Sequence, residues 1–129
     1  MQTKYIDVAD KWGVVLCYDL KRLDEYEMRQ NMMAFGMRGQ NIDEAIDILL
    51  YENNTGMAVS RSDIRMSLVF IGDATGGEQW WDTVAHEVLD HVKTAICVYY
   101  DVPFGGEDAA WLTGYLMRKT VQLLGEPCR

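Results

Sequence analysis

Ile64-Arg65-Met66-Ser67-Leu68-Val69-Phe70-Ile71-Gly72 alternates at period two and then turns wholly apolar. Ile64, Met66, Leu68 and Phe70 fall on one face of an extended strand. Arg65 and Ser67 fall on the other, which gives way to Val69 and Ile71. The first face is core. A strand this apolar needs partner strands and a covering layer. Upstream, Met57 to Ser60 reads as its antiparallel partner, joined to it through Arg61-Ser62-Asp63 in a hairpin. Downstream, Asp73 to Gly77 reads as a loop. Thr75 and Glu78 have capping-box spacing for a helix that runs to about Asp101, ahead of Pro103.

Working outward, Phe104-Gly105-Gly106 forms a second loop, and a last helix spans about Glu107 to Leu124. Toward the N-terminus, Val14-Val15-Leu16-Cys17-Tyr18 is a buried strand by its β-branched, apolar run. Residues Asp24 to Met37 read as a helix whose apolar surface comes from Tyr26, Met32, Met33 and Phe35. Asn41 to about Tyr51 reads as a second helix with Asn41 as N-cap and Glu44 completing the box. A turn at Asn53-Asn54-Thr55-Gly56 leads into the hairpin. The sum predicts a single α+β domain over residues 1–129. Its short, mostly antiparallel sheet of about three strands is packed by helices, two of them long and C-terminal.

The 129 residues carry ordinary globular composition, with 49% hydrophobic and 25% charged residues. The net charge of −8 and the lack of a Lys/Arg cluster exclude sustained contact with nucleic-acid phosphates. No apolar run approaches membrane-spanning length and no leader signal is present, so a cytoplasmic protein is expected. Cys17, Cys97 and Cys128 are too few and too dispersed for a disulfide framework, and reduced, mostly buried thiols are expected. Oligomeric state is not written in the sequence.

The chemistry is concentrated in Thr83-Val84-Ala85-His86-Glu87-Val88-Leu89-Asp90-His91-Val92, which holds both histidines of the chain. Metal-assisted hydrolysis needs neutral imidazole ligands, a position open to water, and a carboxylate that accepts a proton. His-Glu-x-x-His on a helix meets that need because residues four apart share a face. Here the interval is one residue longer. On a regular α-helix five steps leave the two imidazoles about 140 degrees apart. They then flank an apolar stripe of Trp81, Val84, Ala85, Val88, Val92, Ala95, Ile96 and Tyr99 from opposite sides. Two arrangements restore a site. A π-bulge would absorb the extra residue, or Glu87 and His91, already four apart, would form the pair without His86. A purely structural pair on an amphipathic helix remains the alternative.

Glu107 follows His91 by sixteen residues and opens the last helix. It extends the stripe Ala110, Trp111, Gly114, Met117 and Val121 by one turn, which would aim it at the neighbouring helix as a third ligand. Compensation of the helix dipole explains it equally well. Asp90 reads as a partner that orients an imidazole or as a surface charge. Tyr99 and Tyr115 read as oxyanion donors or as core.

Three blocks of the chain carry a family resemblance: Arg65–Ile71, Trp81–Glu87, and Ile96-Cys97 with Tyr99-Tyr100 followed by Gly106–Gly114. Residues 64–124 resemble a group of small proteins with a His-Glu-x-x-His core, carried by phages and bacterial mobile elements and similar to minimal zincin metallopeptidases. The resemblance implies a strand beside the active-site helix and Zn²⁺ held by His86, His91 and Glu107. It implies Glu87 as general base but supplies neither substrate nor biological role; a peptide or protein substrate is the expectation of the hydrolase reading, with the host cytoplasm as compartment for a phage-encoded protein. The alternative is a non-catalytic protein on a degenerate zincin fold that acts through protein–protein contacts. The longer interval between Glu87 and His91 is the departure from the pattern.

Overall fold

A computed structural model describes residues 1–52, 56–72 and 77–124. The Asn53–Thr55 turn, the loop at 73–76 with its Thr75 cap, and Cys128 in the tail lie outside the described residues. The chain runs β1 (Gln2–Val8), β2 (Trp12–Tyr18), a 3-10 turn (Arg22–Asp24), α1 (Glu25–Ala34) and α2 (Gly39–Ile46), which widens into a π turn (Asp47–Tyr51). Then come β3 (Gly56–Arg61) and β4 (Met66–Ile71). One continuous helix follows in three segments: α3 (Gly77–Val84), a π segment (Ala85–Val92) and α4 (Lys93–Tyr100). Helix α5 (Glu107–Leu124) ends the described chain. The α+β class is as expected, but the sheet is mixed and has four strands, in the order β1-β2-β4-β3. Strands β1 and β3 pair antiparallel with their neighbours, whereas β2 and β4 are parallel, with Val15 opposite Leu68.

Strand β1 is the element the sequence reading lacked. It lies on the sheet's edge and buries only Ile6 and Val8, so its pattern is faint. Its turn into β2 puts Ala9 and Asp10 at φ 52° and 60°, closed by Lys11 N–H donating to the Val8 carbonyl at 2.9 Å. Two successive positive φ values are normally announced by Asn-Gly or Asp-Gly. Ala-Asp gives no such warning.

Both faces of the sheet are covered. Val14, Leu16, Val69 and Ile71 pack against Val84, Val88, Val92 and Ile96 of the long helix and Leu112 and Leu116 of α5. On the other face Cys17, Leu68 and Phe70 meet Met28 and Met32 of α1 and Ile42, Ile46 and Leu49. The expected one-sided core at β4 is therefore two-sided, which accounts for its apolar end. Its polar Ser67 is fully buried but accepts a hydrogen bond from the Trp12 indole N–H at 3.0 Å, so its polar atom is satisfied.

Several local expectations are corrected. Ile64 is exposed in the turn before β4, where Arg65 has φ 53°. Tyr26 and Met33 face solvent, and Met28 takes the core position instead. Asn41 lies inside α2, whose N-cap is Arg38. On α5 the buried residues are Ala109, Leu112, Leu116 and Thr120, while Trp111 is exposed and stacks on Tyr115. On the long helix Trp80 and Cys97 are buried in place of Ala85 and Tyr99. Asp101 closes that helix in the left-handed conformation, with Val102 N–H donating to the Cys97 carbonyl at 2.8 Å. Cys17 and Cys97 are free and buried, and burial pushes the Cys17 thiol up to about 11, so it stays protonated and unreactive. No helix of the described residues is long and apolar enough to cross a membrane.

Leu16 is fully buried in the central strand β2, between two paired neighbours. Leu16→Ala is expected to lower unfolding free energy by about 2–5 kcal/mol. A shift of the urea midpoint at unchanged slope is the measurement that checks it.

Candidate metal centre

Val84, Val88, Val92 and Ile96 recur every four residues. On a regular α-helix a four-residue step overshoots the turn by about 40 degrees, so four such residues spiral away from a common line. All four are nevertheless buried against the sheet. The π segment Ala85–Val92 makes this possible, because a wider turn cancels the overshoot. Hydrogen bonding in that segment runs from i to i+5, so residues five apart become neighbours. His86 and His91 are such a pair.

The consequence is convergence. The two Nε2 atoms lie 3.2 Å apart, with ring centroids 4.7 Å apart and planes at 80°. Both imidazoles are exposed, whereas Glu87 between them in sequence is buried. Its Oε1 lies 3.5 Å from His86 Nε2. One ligand atom from each of His86, Glu87 and His91 falls within 4.8 Å of the others. Of the two arrangements open at the sequence level, the π-widened helix is the one observed, and Glu87 joins the two imidazoles.

Strand β3 shapes the recess from the side. A Cβ on Gly56 would come within 2.7 Å of Thr83 Cγ2, 2.9 Å of the Phe70 carbonyl oxygen and 3.1 Å of Glu87 Cγ. Glycine is what lets the strand approach the helix closely enough to cover Glu87. The strand beside the site is thus the hairpin partner β3, while β4 packs its Val69 and Ile71 deeper under the same helix. Burial raises the Glu87 carboxyl above its ordinary range, and His91 and then His86 pull it partly back.

Glu107 is not part of this group. It is exposed at the first turn of α5. The nine residues from His91 to Tyr100 rise about 13 Å along the helix before the chain turns into α5. The expected inward stripe on α5 is rotated, with Ala109 and Leu112 inside, and that rotation leaves Glu107 on the solvent side. Asp90 is exposed. The Tyr115 hydroxyl is committed to the Asp7 carbonyl at 2.6 Å.

Two outcomes follow from this geometry. Deleting exposed Asp90 restores the i, i+4 interval and lets the segment become regular α-helix with the downstream register kept. The variant is expected to fold, with helical circular dichroism within about a tenth of the parent, because one bulge residue is all that is removed. In metal-free protein burial favours the neutral form of Glu87 more in the folded chain than in the unfolded one. Its contribution is fully present below the ordinary carboxyl range and is lost as pH rises through the raised value. Glu87→Gln, neutral throughout, should therefore gain stability over the parent as pH rises from about 4 to about 8, read by thermal melts in chelator. A constant or shrinking gap would contradict the burial argument. Compared with models of known families, with characterised proteins and with solved structures, the chain finds no match.

Proposed function

We propose that this protein is a zinc-dependent hydrolase acting on a peptide or protein substrate, with His86 and His91 as metal ligands and Glu87 as the proton acceptor. One observation carries the reading: the 3.2 Å between the two Nε2 atoms. Tetrahedral zinc with bonds of 2.0–2.1 Å sets neighbouring nitrogens about 3.3 Å apart. The donor chemistry fits as well, since paired imidazoles beside a carboxylate suit zinc better than a hard cation such as Mg²⁺. A bound zinc ion would supply Lewis acidity toward water and a carbonyl oxygen.

The chain's own residues account for the rest. Glu87 sits 3.5 Å from His86 Nε2 in a buried recess, and its raised affinity for protons suits a base working nearer neutral pH. Exposure of the imidazoles leaves the outer side of the centre accessible to a substrate. The zincin resemblance of residues 64–124 favours peptide chemistry. The proposed ligand set differs from the one that resemblance implies, because Glu107 lies outside the group.

That same difference favours a second reading. With Glu87 reserved as base, the described residues supply two ligands, and 3.2 Å also suits an N–H···N hydrogen bond between neutral imidazoles. A non-catalytic binding protein would keep this geometry without metal. Titration of chelator-treated protein with zinc separates the two. The hydrolase reading expects about one equivalent per chain. It expects His86→Ala or His91→Ala to weaken zinc by more than the roughly 10–100-fold of an outer-shell change. Glu87→Gln should keep the metal and lose about 10²–10⁴-fold in turnover of a peptide library. Protein that takes up no zinc, or binds it equally without either histidine, overturns the reading.

A further inference from the structure

Beyond the centre, toward the C-terminal end of the same helix, lies a cleft of about 480 Å³, lined by Trp12, Ser60, Ser62, Ala95, Val98 and Tyr99. That volume is within the range of small-ligand sites. Ala95 follows His91 by four residues, one turn or about 6 Å along α4. Ser60 follows Gly56 by four residues of β3, about 13 Å, and Gly56 is the residue packed on Glu87. Strand and helix thus run side by side from the His86–Glu87–His91 group to the cleft. Its open wall is apolar and aromatic, with Val98 and Tyr99 67% and 46% exposed, while Trp12, which meets Tyr99 edge to face at 5.8 Å, is itself buried.

The polar groups of the cleft are ordered. The Trp12 indole N–H donates to Ser67 Oγ at 3.0 Å, and Ser67 Oγ lies 2.7 Å from Ser60 Oγ. Ser67 is fully buried, and among the described residues its hydroxyl has no acceptor within reach other than Ser60 Oγ. Ser67 therefore donates to Ser60, because a buried hydroxyl left without an acceptor is costly. The Ser60 hydrogen is then free to point into the cleft. An exposed hydroxyl donor set beside one exposed aromatic ring matches one residue of an extended peptide: its side chain on Tyr99 and its carbonyl on the Ser60 hydroxyl.

We propose that this cleft receives an aromatic side chain of a peptide ligand, with Ser60 donating to the adjoining carbonyl. Its role as a substrate subsite rests on the hydrolase reading, but its capacity to bind does not, and the two are tested separately. N-acetyl-phenylalaninamide and N-acetyl-alaninamide are titrated into chelator-treated protein while the Ala95 and Val98 methyls and the Trp12 indole N–H are followed by NMR. The phenylalanine probe alone should shift all three. In zinc-loaded protein, N-acetyl-phenylalaninamide should still bind about 10–100-fold tighter than N-acetyl-alaninamide, as burial of one ring implies. Ala95→Trp, which fills the cleft, should abolish both preferences while zinc affinity stays unchanged. Ser60→Ala should weaken the amide about three- to tenfold. Equal behaviour of the two probes, or a preference that survives Ala95→Trp, overturns the proposal. Selective shifts in a protein that takes no zinc uphold the cleft and sink the hydrolase, and zinc binding with no preference does the reverse.

Discussion

A helix lying on a sheet must keep its apolar residues in one line, and here that line is drawn by Val84, Val88, Val92 and Ile96. Four-residue spacing does not suit a regular α-helix, whose stripe would wander off the sheet within two turns. The π segment Ala85–Val92 resolves the conflict by widening the turn where the mismatch accumulates. The poorer backbone geometry of that segment is offset by burial of large apolar side chains, each worth about 1.5–3 kcal/mol. Packing against Leu16, Val69 and Ile71 thus dictates the helix geometry, and the helix geometry dictates the site.

The convergence of His86 and His91 is a by-product of the same widening, since both lie within the π segment. Glu87 is held less comfortably. Its carboxyl is buried beside Gly56 and Thr83, and burial disfavours its charged form. A carboxyl buried next to two accessible imidazoles is a local conflict between burial and ionisation. The contrast with Ser67 is instructive: that buried polar group is fully bonded and only orders its neighbours.

Chain direction organises the surroundings. Strand β3 and the helix leave the centre together, so the edge strand, the His-Glu-His group and the aromatic cleft share one side of the molecule. Helices α1 and α2 cover the opposite face of the sheet and contribute nothing to the site; their methionines and isoleucines are core. The exposed Trp111 on α5 stacks on Tyr115, whose hydroxyl ties the helix to β1.

Local pattern determined a good part of this protein. The period-two run at Met66–Ile71, the span of the Glu107–Leu124 helix and the His-Glu-x-x-x-His motif are properties of neighbouring residues, and neighbouring residues suffice to state them. Three matters were decided by tertiary structure. Strand β1 exists because β2 needs a partner on its open side, not because Gln2–Val8 has a strong pattern of its own. Glu107 faces solvent because the rotation of α5 follows Leu112 and Leu116 into the core, a choice between two comparable stripes that only the neighbouring helix can make. Finally, a five-residue interval is silent on whether two imidazoles meet; the sheet beneath the helix fixed the turn width that joins them.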